Sequence, residues 1–284
     1  MRNDPEVRRI VETYGLGLPR TPAAGRTGEL LGRGTGASLE FQEYREYLPG
    51  DDIRHVDWCA YARSDQLMVR LYREEISPRF EILLDASRSM NTGDGTKSRV
   101  ARQLAATFAL LAGRLGAKPA LITLGDEPGD PAGSDGLARL ETLAFDGVAP
   151  ITEGLRPGRV RLARQSVRVL ISDFLFPHDP EPLLRRLAGD ASALWVLQLL
   201  SRWEAAPEAA GGRRLVDIEN GASIDLVLDR RTIANYRERL ARLQADLSRA
   251  CRRVHADFVI LQADKGLSGI CRDELCAAGI LRAG

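Results

Sequence analysis

The first residues whose types and spacing suggest a functional site are one aspartate and two serines, spaced two positions apart. Asp85, Ser87 and Ser89 follow "FEILL", a run with the length and composition of a buried strand. A tight loop after such a strand can point all three oxygens into one space. A carboxylate with two hydroxyls suits a hard cation, with water completing its shell. The spacing alone leaves a second interpretation open, in which the strand simply stops in polar residues and the serines cap a helix.

A second acid follows another apolar run, because "VRVLISD" ends in Ser172 and Asp173. Ligands of open α/β sheets bind outside the carboxyl ends of the strands. If the two runs are neighbouring strands, Asp173 faces Asp85. Two carboxylates so near each other repel unless a cation lies between them. The sequence therefore predicts a site for Mg²⁺, or for Mn²⁺ or Ca²⁺ in its place.

The elements that would position these residues form an alternating series. Five apolar runs have strand length: 80–85, 119–124, 167–173, 193–200 and 257–262. Runs this apolar are typical of strands buried on both faces of a parallel sheet. Helical patterns lie between them at 97–116, 179–189 and 230–255. The alternation predicts an α/β fold with a mainly parallel, doubly wound, Rossmann-like sheet.

Other segments interrupt or precede this alternation. Residues 136–147 are predicted to form a short antiparallel edge strand. Residues 213–229 alternate on both sides of Asn220-Gly221, a strong hairpin signal, and predict a small inserted hairpin. Residues 1–78 are predicted to be a β-rich N-terminal extension, and residues 79–284 the sheet domain.

Composition excludes several classes of function. The net charge is +1, from 40 basic and 39 acidic residues, so no global field attracts nucleic acid or a membrane surface. No run approaches the about 18 apolar residues of a membrane span, and the first residues lack an apolar leader. The four cysteines and three histidines lack the spacing of a zinc site or a disulfide framework. We therefore expect a cytoplasmic protein with no membrane span and no nucleic-acid partner.

The most distinctive stretch, residues 40–75, mixes acids, arginines and aromatics around the turn Pro49-Gly50-Asp51-Asp52. We name residues 45–63 the signature block. Its candidate partner-binding or structural residues are Arg45, Tyr47, Asp51, Asp52, Arg54, Asp57, Trp58 and Arg63. The density of opposite charges favours a salt-bridged network that locks the segment onto the sheet domain. Direct contact with a partner, or a metal site at Asp51, Asp52 and Asp57, are the alternatives.

These motifs resemble known families. The ordered series from Glu40-Phe41 through Pro49–Asp52 to Asp57-Trp58 is similar to the signature of the family called domain of unknown function 58, over about residues 25–265. Asp-x-Ser-x-Ser after an apolar strand, with a later Ser-Asp, resembles the metal-ion-dependent adhesion site of von Willebrand factor type A domains. That resemblance implies that Asp85, Ser87 and Ser89 are direct or near-direct ligands, that Asp173 holds a metal-bound water, and that a threonine, here Thr152, completes the site.

The resemblance also implies a function. In such domains a partner often supplies a carboxylate as the last ligand, and the metal joins two proteins without chemistry. Members of the family are often encoded beside MoxR-type AAA ATPases, which implies a cytoplasmic adaptor that presents a client to the ATPase. We therefore expect a non-enzymatic, divalent-cation-dependent interaction module. A metal-dependent hydrolase using the same acids, and a degenerate metal-free interaction domain, remain as alternatives.

Overall fold

The computed structural model describes residues 1–18, 39–74, 79–126, 136–156, 158–208, 211–216 and 223–284. The chain divides into two compact units, one of Met1–Ala23 with Pro78–Gly284 and one of Ala24–Ser77. The strands are β1 Tyr14–Leu16, β2 Leu39–Glu46, β3 Met68–Glu74, β4 Arg79–Asp85, β5 Lys118–Leu124, β6 Ser166–Ser172, β7 Ala191–Leu200, β8 Gly211–Val216, β9 Ser223–Leu228, β10 Asp257–Gln262 and β11 Leu281–Ala283. The helices are α1 Pro5–Thr13, α2 Trp58–Ser64, α3 Thr96–Arg114, α4 Gly136–Thr142, α5 Ile151–Gly154, α6 Pro180–Ala188, α7 Arg202–Ala205, α8 Arg230–Arg253 and α9 Gly266–Gly269, which a π-helical turn, Ile270–Leu275, follows.

A five-stranded parallel sheet forms the centre of the first unit, in the order β10-β7-β6-β4-β5. Parallel sheets are covered on both faces, so their strands carry apolar residues at nearly every position. β6 is covered in this way, because all seven of its residues are buried. The predicted mainly parallel, Rossmann-like α/β sheet is confirmed.

The two faces of the sheet pack against different helices. Ile82 and Leu84 lie in the cluster that contains the apolar side of α3, whereas Leu83 lies in the cluster that contains residues of α6 and α8. This alternation follows from the period of two in a strand. Helices on both faces are the doubly wound arrangement that the sequence predicts.

The N-terminal residues belong to the sheet-containing unit. Asp4 caps α1 by accepting from the amides of Glu6 and Val7, and its other carboxylate oxygen accepts from Gln103 of α3 at 3.0 Å. β1 pairs with β11 in antiparallel register, Tyr14 opposite Ala283. The sequence groups residues 1–78 together, but the structure places the first part of that range with Pro78–Gly284.

The second unit contains the antiparallel pair β2–β3, together with a 3₁₀ turn at Ile53–His55 and helix α2. Each aspartate of its signature block serves a different local contact. Asp51 accepts from Arg45 at 2.8 Å, Asp52 accepts from Arg54 at 2.5 Å, and Asp57 caps α2. The predicted salt bridges therefore exist as separate local pairs within this unit.

The predicted edge strand at 136–147 is wrong, because Gly136–Thr142 forms helix α4. Leu140 is fully buried there, and the partly buried Leu137 and Leu143 pack against the same core cluster. Spacings of three residues place these leucines on one helical face, which competes with the alternation expected of a strand. The inserted hairpin corresponds to the antiparallel pair β8–β9, and its predicted Asn220-Gly221 turn lies outside the described residues. Within the described residues, no helix combines the length and apolarity that crossing a bilayer requires.

Candidate functional site

The sheet order places the ends of β4 and β6 side by side. β4 is the first strand of this sheet along the chain. β5 lies on one side of β4 and β6 on the other, so the direction in which successive strands are added reverses between β4 and β6. Crevices at such a switch point, outside the carboxyl ends of the strands, are the usual ligand sites of doubly wound sheets. Leu84 is in register with Ile171, so Asp85 and Ser172 are neighbours across the two strands.

Asp85 is a buried carboxylate held by two donors. One oxygen accepts from the Ser87 amide at 2.9 Å, and the other accepts from the Ser172 hydroxyl at 2.5 Å. Burial first, and then the charge of Asp173, raise the pKa of Asp85 to about 6, against the opposing effect of the two serine donors. A carboxylate with a raised pKa carries a negative charge that its surroundings do not fully compensate.

The two loop hydroxyls lie together beside this acid. The Ser87 and Ser89 hydroxyl oxygens are 2.9 Å apart. Backbone hydrogen bonds join this loop to Gly147, whose carbonyl accepts from the Arg88 amide and whose amide donates to the Ala86 carbonyl. A side chain at Gly147 would meet that carbonyl at 3.1 Å, so a glycine allows the two backbones to approach closely. The predicted Asp-x-Ser-x-Ser cluster therefore converges.

Asp173 is paired with an ammonium group. Lys97, in the first turn of α3, places Nζ 2.9 Å from Asp173 and 2.7 Å from Glu204, and its side chain is completely buried. Burial opposes the charge of Lys97, but the Asp173 and then the Glu204 carboxylates outweigh that effect and raise its pKa. The candidate site therefore contains an internal cation on the Asp173 side.

The turn after β6 is locked in an uncommon conformation. Phe174 has φ 58° and is fully buried, which is rare for a bulky residue and persists only where the surroundings over-determine it. The turn lets the Phe174 amide donate to the Ser172 hydroxyl and the Leu175 amide donate to Asp173. Buried Gln198 of β7 donates to the carbonyl of Asp173. Asp173 is thus fixed from its backbone as well as its side chain.

Thr152 lies in α5, near the same edge of the sheet. A side chain at Gly154 in that helix would approach the backbone of Leu124 and Gly125, which follow β5. Thr152 is partly buried, and no hydrogen bond among the described residues links it to Asp85, Ser87 or Ser89. The structure brings the other four predicted ligands together and leaves the role of Thr152 a prediction.

The residues of the signature block lie in the other unit and form local contacts there. Tyr44 donates to Asp57 at 2.8 Å, the Tyr47 amide donates to the Leu67 carbonyl, and Arg63 donates to the Cys59 carbonyl. Trp58 is 61% exposed. Across the part of the chain that the structure describes, no group of three or more His, Cys, Asp and Glu side chains is arranged to hold a metal. The acidic metal alternative at Asp51, Asp52 and Asp57 gains no support from the described residues.

The sequence reasoning missed two members of the site, although each left a signal. Lys97 stands on the buried stripe of α3 with Val100, Ala101 and Leu104, where a charge requires a partner. Glu204 is the fourth residue of Ser201-Arg-Trp-Glu, the pattern of a capping box, and the structure confirms that box. The box explains why Glu204 presents its other oxygen to Lys97.

Comparisons with known proteins extend these observations. The family model described as "Protein of unknown function DUF58" matches residues 43–248. The uncharacterized proteins Mb1516 of Mycobacterium bovis and Rv1480 of Mycobacterium tuberculosis are each 28% identical over 290 residues, covering 93% of this chain and 87% of the relative.

Two solved structures are also similar to this chain. They are an aerotolerance-related membrane protein of Bacteroides fragilis, at 15% identity, and the conserved hypothetical protein BatB of Bacteroides thetaiotaomicron, at 10%. Each covers 69% of this chain and 98% of its own, with a TM-score of 0.35, a value too low to support a conclusion about this chain. The family match, in contrast, runs from the signature block across the acid site and into α8. The chain belongs to the DUF58 family.

Proposed function

We propose that this chain is a non-enzymatic protein-interaction module whose contact site is the acid and hydroxyl cluster at the end of β4, completed by a divalent cation. The observation that carries the proposal is the convergence of Asp85, Ser87 and Ser89 with Asp173 at the switch point of the sheet. The parallel sheet with this motif after its first strand also supports a von Willebrand factor A-like domain.

The residues fit a hard cation. All the candidate donors are oxygens, as Mg²⁺ requires. The pKa of Asp85 is raised first by burial and then by the Asp173 carboxylate, whose repulsion a bound cation would reduce. Asp85, Ser87 and Ser89 would hold the ion, and Asp173 would act through water because Lys97 already occupies one of its oxygens. The cation would supply a positive charge at which a partner's carboxylate can bind.

The same contacts favour binding over hydrolysis. A general base must be within hydrogen-bond reach of the proton that it removes. Asp85 accepts from Ser172 and Ser87, and Asp173 accepts from Lys97 and the Leu175 amide. Both carboxylates are thus engaged in positioning contacts, which supports a static ligand role.

The partner of this site would be a protein that offers an acidic side chain as the last ligand. The family resemblance identifies a AAA ATPase of the MoxR type as the first protein to test, with a client protein as the second. In this arrangement the chain is an adaptor that presents the client for remodelling or assembly.

The first test is calorimetric titration of Mg²⁺ and Mn²⁺ into the wild-type chain and into the double variant Asp85→Ala with Ser87→Ala. We expect saturable binding that the double variant loses. Asp94→Asn is the matched control, because Asp94 lies in the same loop but contacts the amide and hydroxyl of Thr96. If the double variant still binds the cation, the proposed site is refuted. If the Asp94→Asn control loses the binding that the wild-type chain shows, the loss in the double variant is not specific to the site.

The buried Lys97 ammonium favours a second candidate, a metal-free interaction domain. Lys97 lies within 2.9 Å of two carboxylates and already compensates part of the charge that a cation would compensate. In this case no metal binds, and Asp85→Ala changes little in the capture of the ATPase. Pull-downs with Mg²⁺ and with EDTA distinguish the two candidates.

A further inference from the structure

A groove of about 960 Å³ lies in the sheet-containing unit, away from the acid site. Its lining includes the first residues of β4 and β5 and the last residues of α3, so it lies at the amino edge of the sheet. Asp85 is at the other edge, and a seven-residue strand spans about 23 Å. The groove is therefore separate from the candidate cation site.

The inner wall of the groove is apolar. Leu110 of α3, Leu121 of β5 and Leu137 of α4 are partly buried and pack against the main core, and Leu140 is 1% exposed at its base. Pockets of roughly 300–1,000 Å³ lined in this way are the usual sites of small apolar or amphiphilic ligands.

The exposed lining of the groove is cationic. Its basic side chains are Arg2, Arg79, Arg114, Lys118 and Arg161. All five are exposed, and within the described residues none of them is paired with an acid. A chain with a net charge of +1 has almost as many acids as bases, so a cluster of one sign without acid partners among the described residues is a local feature.

The acid that lines the groove does not neutralise these cations. The Glu81 carboxylate is buried and accepts from Arg168 at 2.9 Å, from the Ser166 hydroxyl at 2.6 Å and from the Ala163 amide at 2.7 Å. Its charge is thus compensated inside the protein. The end of α3 adds only about half a negative charge from its dipole, much less than the side chains contribute.

The combination of an apolar wall with exposed cations selects an occupant. We propose that the groove binds a single-chain anionic amphiphile, whose alkyl chain lies along Leu110, Leu121 and Leu137 and whose carboxylate or phosphate head lies among Arg79, Lys118 and Arg161. A peptide added as a strand to β5 fits less well, because Pro119 has no amide hydrogen for a ladder.

The test uses the full chain and three ligands with the same ten-carbon chain: decanoate, decyl phosphate and decanol. Calorimetry below the micelle concentrations should show one saturable site for at least one anion, with decanol weaker by roughly tenfold or more. A preference for decanoate or for decyl phosphate identifies the head group. Acetate and inorganic phosphate, which lack the chain, should not bind measurably.

Two variants locate the binding. Arg79→Glu with Lys118→Glu should weaken the anions by roughly tenfold or more, and Leu137→Trp should block the alkyl chain. Arg231→Glu with Arg239→Glu, two exposed arginines on α8, is the matched control and should bind normally. If Leu137→Trp fails to fold, the charge-reversed pair carries the test, because it changes only exposed side chains.

Several results would overturn the proposal. Equal affinity for decanol would show that the cations play no part, and unchanged binding in the charge-reversed pair would place the ligand elsewhere. The absence of saturable binding, or tighter binding of an acidic peptide in the same groove, would exclude an amphiphile as the ligand.

Discussion

Both the folding stability of the chain and its binding of a cation should depend on the carboxylate of Asp85. Its pKa of about 6 lies above the ordinary value of 3.8, so the folded chain holds this proton more tightly than the unfolded chain does. Folding stability therefore falls as the pH rises from about 4 through about 6, and the loss of stability is complete above that range. A cation bound at this acid would remove part of that loss.

Asp85→Asn should stabilise the metal-free chain at about pH 7.5, by up to about 3 kcal/mol. The substitution removes a buried carboxylate whose pKa lies about two pH units above its ordinary value. The gain should shrink as the pH falls toward about 4. Urea unfolding in EDTA at several pH values measures it. Asp94→Asn should have the opposite sign, because the Thr96 amide and hydroxyl lower the pKa of Asp94. A less stable Asp85→Asn chain at neutral pH would contradict this account.

Lys97→Met should be severely destabilising. It leaves the Asp173 and Glu204 carboxylates buried without their cation, and breaking a buried pair by removing one partner costs about 3–5 kcal/mol. Added Mg²⁺ should restore part of the loss if the proposed site is correct. Denaturant unfolding with and without Mg²⁺ measures both effects.

The control for Lys97 is Lys265→Met. Lys265 contacts Glu274 at 2.8 Å but is 40% exposed, and exposed ion pairs contribute little to stability. Equal losses in the two variants would show that the burial of Lys97 has no energetic consequence.

At the scale of elements, strand β6 connects two polar clusters. Its carboxyl end carries Ser172, and near its amino end Arg168 donates to Glu81 and to the carbonyls of Leu187 and Gly189 at the end of α6. Arg168 is 1% exposed. The arginine thus joins β4, β6 and the end of α6 near the amino ends of the strands, while the candidate site lies at their carboxyl ends.

Arg168→Met should destabilise the chain by about 3–5 kcal/mol, since Glu81 would remain buried without its partner. Adding Glu81→Leu should recover part of that loss, because replacing both members of a buried pair by apolar residues is often close to neutral. Denaturant unfolding of the single and double variants measures the recovery. Greater damage in the double variant would show that Glu81 is held mainly by Ser166 and Ala163.

The sequence predicted elements best where apolar residues follow one another without interruption. The apolar runs of β4 through β7 and β10 predicted the parallel strands, and the strand ends then placed Asp85 near Asp173. The prediction of a strand was wrong at α4, because leucines three residues apart form one face of a helix. The sequence reasoning also missed the link from Lys97 to Glu204, because a contact between residues 107 positions apart depends on tertiary packing and leaves only local hints.

At the scale of the whole molecule, the chain ends of the sheet-containing unit are joined by β1 and β11. Ile280 and Leu281, each 1% exposed, lie in the main core cluster with Val7 and Ile10 of α1. The second unit, Ala24–Ser77, is an insertion between two parts of this first unit.

A chain shortened to end at Gly279 should lose roughly 3–6 kcal/mol of stability, since two buried apolar side chains contribute about 1.5–3 kcal/mol each. A chain that ends at Leu281 keeps both side chains and should lose much less. Thermal unfolding of the two shortened chains measures the difference. Equal stability of the two would show that the backbone pairing of β11, and not the buried side chains, is what matters.

The pairing of β1 with β11 has a consequence for the order of events during synthesis. Tyr14–Leu16 leave the ribosome early, but their partners Leu281–Ala283 follow only after translation of the intervening residues, which takes on the order of tens of seconds at about 5–20 residues per second. The Ala24–Ser77 unit draws its contacts from one contiguous stretch and can form in that interval. The sheet-containing unit must wait with Val7 and Ile10 of α1 uncovered, so a chaperone that binds exposed apolar side chains should contact this helix during synthesis.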